Sequence, residues 1–183
     1  SGPVDLSGNF QNAGGQDNDA EISFYYPESG EKAAALNASG EYNVSLKRGM
    51  YNAVVKLENN TIEMDSVDIN NSMNNTLRAE ELNQNDAPAP ENREARIMGI
   101  GVDTALEPVS SNITLDYSSY EDQIPSSQDI ENMQVARCGN WDYDARTCSG
   151  NIQEIELASS QIDRVEDSVT FTVSGFSAYT LYF

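Results

Sequence analysis

Apolar and polar residues alternate along most of this chain, and the period is two almost throughout. The alternation is clearest over residues 39–57, where Tyr42, Val44 and Leu46 recur on one side and Tyr51, Ala53, Val55 and Leu57 resume after Lys47-Arg48-Gly49. Successive side chains of an extended chain point to opposite faces, so each run describes a strand with one buried face. The short Gly-containing segment between the runs predicts a β-hairpin. Ile22, Phe24 and Tyr26 predict a strand over 21–26, turned at Pro27-Glu28-Ser29-Gly30 and followed by a weaker strand over 32–36. Residues 4–10 predict an opening strand, set off by a polar, Gly-rich segment. Ile62 and Met64, then Val67 and Ile69, predict two short strands or one broken one, and Leu77 closes the set.

Residues 80–96 (EELNQNDAPAPENREAR) break the pattern with prolines, asparagines and glutamates and little apolar bulk. Such a composition predicts a semi-extended linker. Alternation then resumes over 97–102, 112–117, 130–137, 152–157, 168–173 and 175–183. No segment carries a convincing helical period. The expected fold is therefore all-β, with two β-sandwich domains in tandem: 1–79, the linker 80–96, and 97–183.

Two stretches resemble known modules. The order S-G-x-Y-x-V-x-L, a turn, then Y-x-A-x-V-x-L uses Gly40, Tyr42, Val44, Leu46, Gly49, Tyr51, Ala53 and Val55. Over about 22–77 it resembles the carboxypeptidase-regulatory-like and PEGA-type transthyretin-like β-sandwiches of surface proteins and secreted enzymes. The ending VTFTVSGFSAYTLYF, with Val169, Thr170, Val173, Phe176, Ser177, Tyr179 and Leu181, resembles a β-sandwich module at the ends of microbial surface proteins, over about 96–183. Related sandwiches cleave themselves at His-Phe-Ser. Gly175 stands here at the histidine position, so no cleavage before Ser177 is expected.

Charge changes the picture of partners. The chain carries 30 acids against 10 bases, a formal charge of −20, spread over both halves. Such a surface repels nucleic-acid phosphates and anionic lipid. The absence of histidine removes Ser-His-Asp and Cys-His nucleophile arrangements and the usual zinc ligand sets. No run approaches the roughly 18 apolar residues that read as a membrane span. The opening SGPVDL has neither a basic nor an apolar leader region, so a signal peptide is either already removed or lies outside this sequence.

Four groups of residues could carry chemistry. Cys138 and Cys148, the only cysteines, predict a local disulfide and an oxidising compartment. The loop between them holds Trp141 and Tyr143, which either display a recognition surface or cover the sandwich edge. Sequons at Asn37, Asn43, Asn59, Asn70, Asn74 and Asn112 fall in turns, at strand ends or on predicted outward faces, and suit glycosylation. Asp17, Asp19 and Glu21 offer alternating oxygen ligands suited to calcium, without the EF-hand spacing, and Asp142 and Asp144 form a weaker pair. No other cofactor is called for.

Together these features predict a non-catalytic, extracellular structural or assembly module of a microbial cell-surface, sheath or filament protein. Its acidity, few lysines and sequons suit an archaeal source. The expected partners are other copies or neighbouring surface-protein domains, met by strand addition from residues 4–10. The alternative is an adhesion or carbohydrate-binding module using Trp141 and Tyr143. A carboxylate-pair glycosidase is disfavoured, because such pairs need a deep cleft.

Overall fold

The computed structural model describes residues 2–90, 95–124 and 130–183. The chain is all-β. Its first half forms β1 (Val4–Gln11), β2 (Asp19–Tyr25), β3 (Lys32–Ser39), β4 (Glu41–Leu46), β5 (Gly49–Lys56), β6 (Asn60–Ile69) and β7 (Met73–Leu82). The second half forms β8 (Arg96–Thr104), β9 (Ser110–Asp116), β10 (Gln134–Cys138), β11 (Trp141–Asp142), β12 (Thr147–Cys148), β13 (Ile152–Ile155), β14 (Ile162–Asp163), β15 (Ser168–Val173) and β16 (Ala178–Tyr182). Short 3-10 turns at Ser118–Gln123 and Ser159–Gln161 interrupt the strands.

Among the described residues, fourteen strands are hydrogen-bonded in the order β13-β10-β16-β8-β7-β1-β4-β3-β2-β5-β6-β9-β15-β14. Between β3 and β4 the ladder shrinks to the single pair Ser39–Glu41, so the ribbon folds there into two seven-stranded layers. Gly40 makes the fold possible: its φ is +77°, and a Cβ would lie 2.4 Å from the Asp17 carboxyl group. The β1–β2 loop braces this corner, with Phe10 N–H donating to the Gly40 carbonyl and Gly40 N–H to that of Asn18. The layers share one core, in which Phe171 of β15 meets Tyr179 of β16 across the gap at 5.4 Å. The architecture is a β-sandwich.

The two halves of the chain are continuous through both layers. In one layer β6 pairs with β9 from Asn60–Leu115 to Asp65–Ser110, and in the other β7 pairs with β8 from Leu77–Thr104 to Leu82–Gly99. The tandem of two sandwiches joined by a linker is therefore not confirmed. Residues 80–82, expected at the start of the linker, finish β7, with Glu80 and Glu81 buried. Ala87 is also buried, and β8 lies antiparallel beside β7. Residues 91–94 of the expected linker lie outside the described residues.

The predicted hairpin over 39–57 is also corrected. Both strands form, but β4 pairs with β1 and β3 while β5 pairs with β2 and β6. Lys47-Arg48 crosses from one layer to the other. Each strand alternates because it has one buried face, whichever neighbour it pairs with, so alternation could not choose the partner. The true hairpin is β5–β6, and residues 62–69 belong to one strand kinked at Ser66, whose φ is +54°.

Residues 4–10 do form a strand, but an internal one. β1 lies between β4, antiparallel, and β7, parallel. Val4, Leu6 and Phe10 are fully buried, and Phe10 stacks on Tyr42 at 5.1 Å. Gly8 permits the close fit. A Cβ there would lie 1.9 Å from the Leu77 carbonyl oxygen, which accepts a hydrogen bond from the Tyr42 hydroxyl at 3.0 Å. Both sides of the strand expected to reach a neighbour are paired within its own chain.

Candidate functional site

Polar chemistry concentrates where β11 and β12 fold over the outer face of β7 and β8. The Cys138–Cys148 disulfide, with Cα atoms 5.9 Å apart, closes the loop that carries this small hairpin. Asp142 Oδ1 accepts the Ala145 N–H at 2.9 Å and shapes its turn, and Arg146 adopts a φ of +56° beside it. Gly101 provides the seat. A Cβ there would come within 2.5 Å of Trp141 Nε1, so the indole lies on bare backbone.

Beneath the indole is Glu80, whose side chain has no exposed surface. Trp141 Nε1–H donates to Glu80 Oε1 at 3.3 Å. Arg146 Nε stands 3.3 Å from Glu80 Oε2, close enough for an ion pair but not aligned as a hydrogen bond. Arg146 Nη2 donates to the Ala13 carbonyl and to Asp86 Oδ2, at 3.2 and 3.5 Å, so one side chain ties the hairpin to two turns. Burial pushes the Glu80 carboxyl up to about 7, against the opposing pull of Arg146, Trp141 and Arg78.

Arg78, two residues away on the same face of β7, has its guanidinium 4.4 Å from the centre of the Tyr143 ring and ion-pairs with Asp103 and Asp144. Burial, more than any neighbouring charge, pushes the Tyr143 phenol up. Alongside runs an open groove of about 660 Å³ over β1, β4 and β7. Its lining includes Ser7, Asn9 and Gln11 of β1, Asn43 of β4, Arg78 of β7 and Tyr143. The surface is rich in amides and poor in apolar area.

Of the other expected site residues, Asp17 and Asp19 share an open hollow of about 370 Å³ with Asn12, Asn18 and Glu58. Asp17 packs over the Gly40 corner, while Asp19 and Glu21 lie exposed along β2, where Glu21 Oε1 accepts the Ser23 hydroxyl. No group of three carboxylates able to hold a metal ion occurs among the described residues. Asp142 and Asp144 are also separated in role, the first holding the turn and the second pairing with Arg78. Trp141 is half-buried and Tyr143 is 8 % exposed, so both aromatics face the sheet.

Among the sequons, Asn37 and Asn43 are exposed on β3 and β4, and Asn70 and Asn74 are exposed around the turn into β7. Asn112 accepts the Thr172 hydroxyl on the outer face of β9. Asn59 is engaged, its backbone N–H and its Nδ2 both donating to the buried Glu81 carboxylate, at 2.8 and 3.0 Å. The Ser177 hydroxyl donates to the Cys138 carbonyl at 2.6 Å.

Glu80, Arg78, Arg146 and Gly101 escape a sequence reading. Glu80 and Arg78 sit in segments that look like a strand end and a linker, and Arg146 looks like one more loop charge. The available signal was Gly99-Ile100-Gly101: glycines two apart on a strand leave a bare track on one face, which a large ring can fill. No protein family, curated protein or solved structure matches this chain.

Proposed function

We propose that this chain is a non-catalytic structural or assembly module of an extracellular microbial surface, sheath or filament protein, of archaeal type. The observation that carries the reading is the use made of its polar chemistry. Its most distinctive polar side chains, Glu80, Arg146, Trp141 and Arg78, bond to one another and to neighbouring turns and pin the disulfide hairpin to the sheet. Glu80 is sealed beneath Trp141 rather than open to a substrate. A disulfide suits an oxidising exterior, and the exposed Asn37 and Asn43 suit glycan attachment there. Assembly proceeds through a free sheet edge rather than by donation of residues 4–10.

Electron microscopy of the purified chain at high concentration tests the reading, beside a hydrolase screen. Ordered oligomers or filaments with no turnover support it. Turnover lost on Glu80→Gln would refute it.

A second reading is a carbohydrate-binding module, favoured by the amide-lined groove beside Tyr143. Asn and Gln amides pair well with sugar hydroxyls. A glycan array on which binding disappears with Tyr143→Ala, the fold being intact, supports that reading over the first.

A further inference from the structure

We infer that two copies of this chain join edge to edge through β3, extending the layer β3-β2-β5-β6-β9-β15-β14 across a two-fold axis. The inference rests on the assembly reading and names its contact. Among the described strands the layers end in four edges, β3 and β4 at one end of the sandwich and β13 and β14 at the other. A free edge with unpaired backbone N–H and C=O groups is a template for another strand unless length, charge, proline or a bulge blunts it.

Three of the four edges are blunted. β14 has only two residues and is followed by Arg164, Glu166 and Asp167. β13 has four residues and carries Glu154, with Glu156 directly after it. β4 begins on Glu41 and runs into Lys47-Arg48. β3 is different. It is eight residues long, its sequence is KAAALNAS, only Lys32 is charged, and its one register shift lies at its start, so residues 34–39 run regularly beside β2. Among the described residues its one pairing on the open side is Ser39 with Glu41.

The side chains select both partner and register. Leu36, Ala34 and Ala38 face inward, and Leu36 and Ala34 are only partly buried against the core. Residues directly opposite in an antiparallel pair share a face, so a two-fold join that keeps the layer's faces must be centred on a residue. Centred on Leu36, it sets Leu36 against its copy and each Ala34 against the copy's Ala38, covering apolar surface now half-open. The register ends there, because the slot beside Ser39 is held by Glu41 of the same chain and the Gly40 N–H and carbonyl are spent on Asn18 and Phe10. A chain of charge −20 repels its copies over most of its surface, and an edge without charge over residues 33–39 is where that repulsion is least.

Analytical ultracentrifugation of the intact chain over rising protein and salt concentrations is the test. We expect a monomer–dimer equilibrium that tightens as salt screens the net charge. Ala35→Lys, at an exposed outward position, lowers the net repulsion yet places a charge on the edge, and should weaken the dimer about tenfold. Strengthening of the dimer by this variant would overturn the inference. Because the natural cysteines are both in the disulfide, Leu36→Cys should form an interchain disulfide far faster than Glu63→Cys, an exposed position on β6. Equal rates would also overturn it. Filaments that persist with Ala35→Lys would refute the β3 contact alone, whereas a monomer under every condition, with nothing ordered in micrographs, would remove the assembly reading as well.

Discussion

Replacing Glu80 by glutamine is expected to stabilise the chain at alkaline pH while changing little in mild acid. Glu80 has no exposed surface, and burial raises its carboxyl from 4.5 to about 7. A carboxyl with a higher pKa in the folded chain than in the unfolded chain binds its proton more firmly when folded. Its contribution is therefore most favourable below the unfolded value, declines as pH rises from there, and reaches its full cost above the folded value. The whole rise corresponds to about 3 kcal/mol, most of which falls between about pH 5 and about pH 8. Glutamine keeps the shape and an acceptor for Trp141 Nε1–H but carries no charge to bury. Urea denaturation of both proteins at the two pH values measures the difference, and subtracting one curve from the other cancels the repulsion among the remaining carboxylates. Parallel pH dependences would refute the reasoning. A variant that loses ground at high pH would reverse it, making the Arg146 ion pair stronger than the burial cost.

Gly101→Ala should displace the indole and cost about 1–3 kcal/mol through overpacking, read both as a lower denaturation midpoint and as a red-shifted emission from the single tryptophan. Reducing the Cys138–Cys148 bridge should cost about 2–3 kcal/mol, the loop entropy of a ten-residue closure, and should increase proteolysis between residues 139 and 149 before the rest of the chain is cut. Glycopeptide mass spectrometry of the protein from a glycosylating host should find Asn43 occupied and Asn59 bare, because Asn59 Nδ2 is spent on Glu81. The same spectra should show an uncleaved bond between Phe176 and Ser177.

Much of the strand inventory was legible because it depends on one short-range property. A strand with one buried face alternates whatever surrounds it, so Tyr42, Leu46, Ala53, Val55, Val169, Phe171 and Val173 were readable as core positions, and all are buried. Pairing was not legible, since it depends on which backbone edge lies alongside. The same residues 42–57 fit a hairpin and a crossing between layers equally well. The join between the halves was hidden for a different reason. Glu80 and Glu81 look like linker residues, and only a partner far away in sequence makes either one buriable: Trp141 and Arg146 for the first, Asn59 for the second. The disulfide was readable because its two cysteines have no other thiol to pair with, but the direction in which its aromatics turn was set by Gly101, on another strand.

The two seams at β6–β9 and β7–β8 have a mechanical consequence. A pair of domains on a linker transmits tension but little torque, because the linker bends first. Here six register pairs in each layer carry load across the middle, and the layers of a sandwich lie about 10 Å apart. They act as the two flanges of a beam: bending the long axis must stretch one ladder while compressing the other. A pair of such units would flex at the contact between copies, with each unit serving as a stiff segment of fixed length.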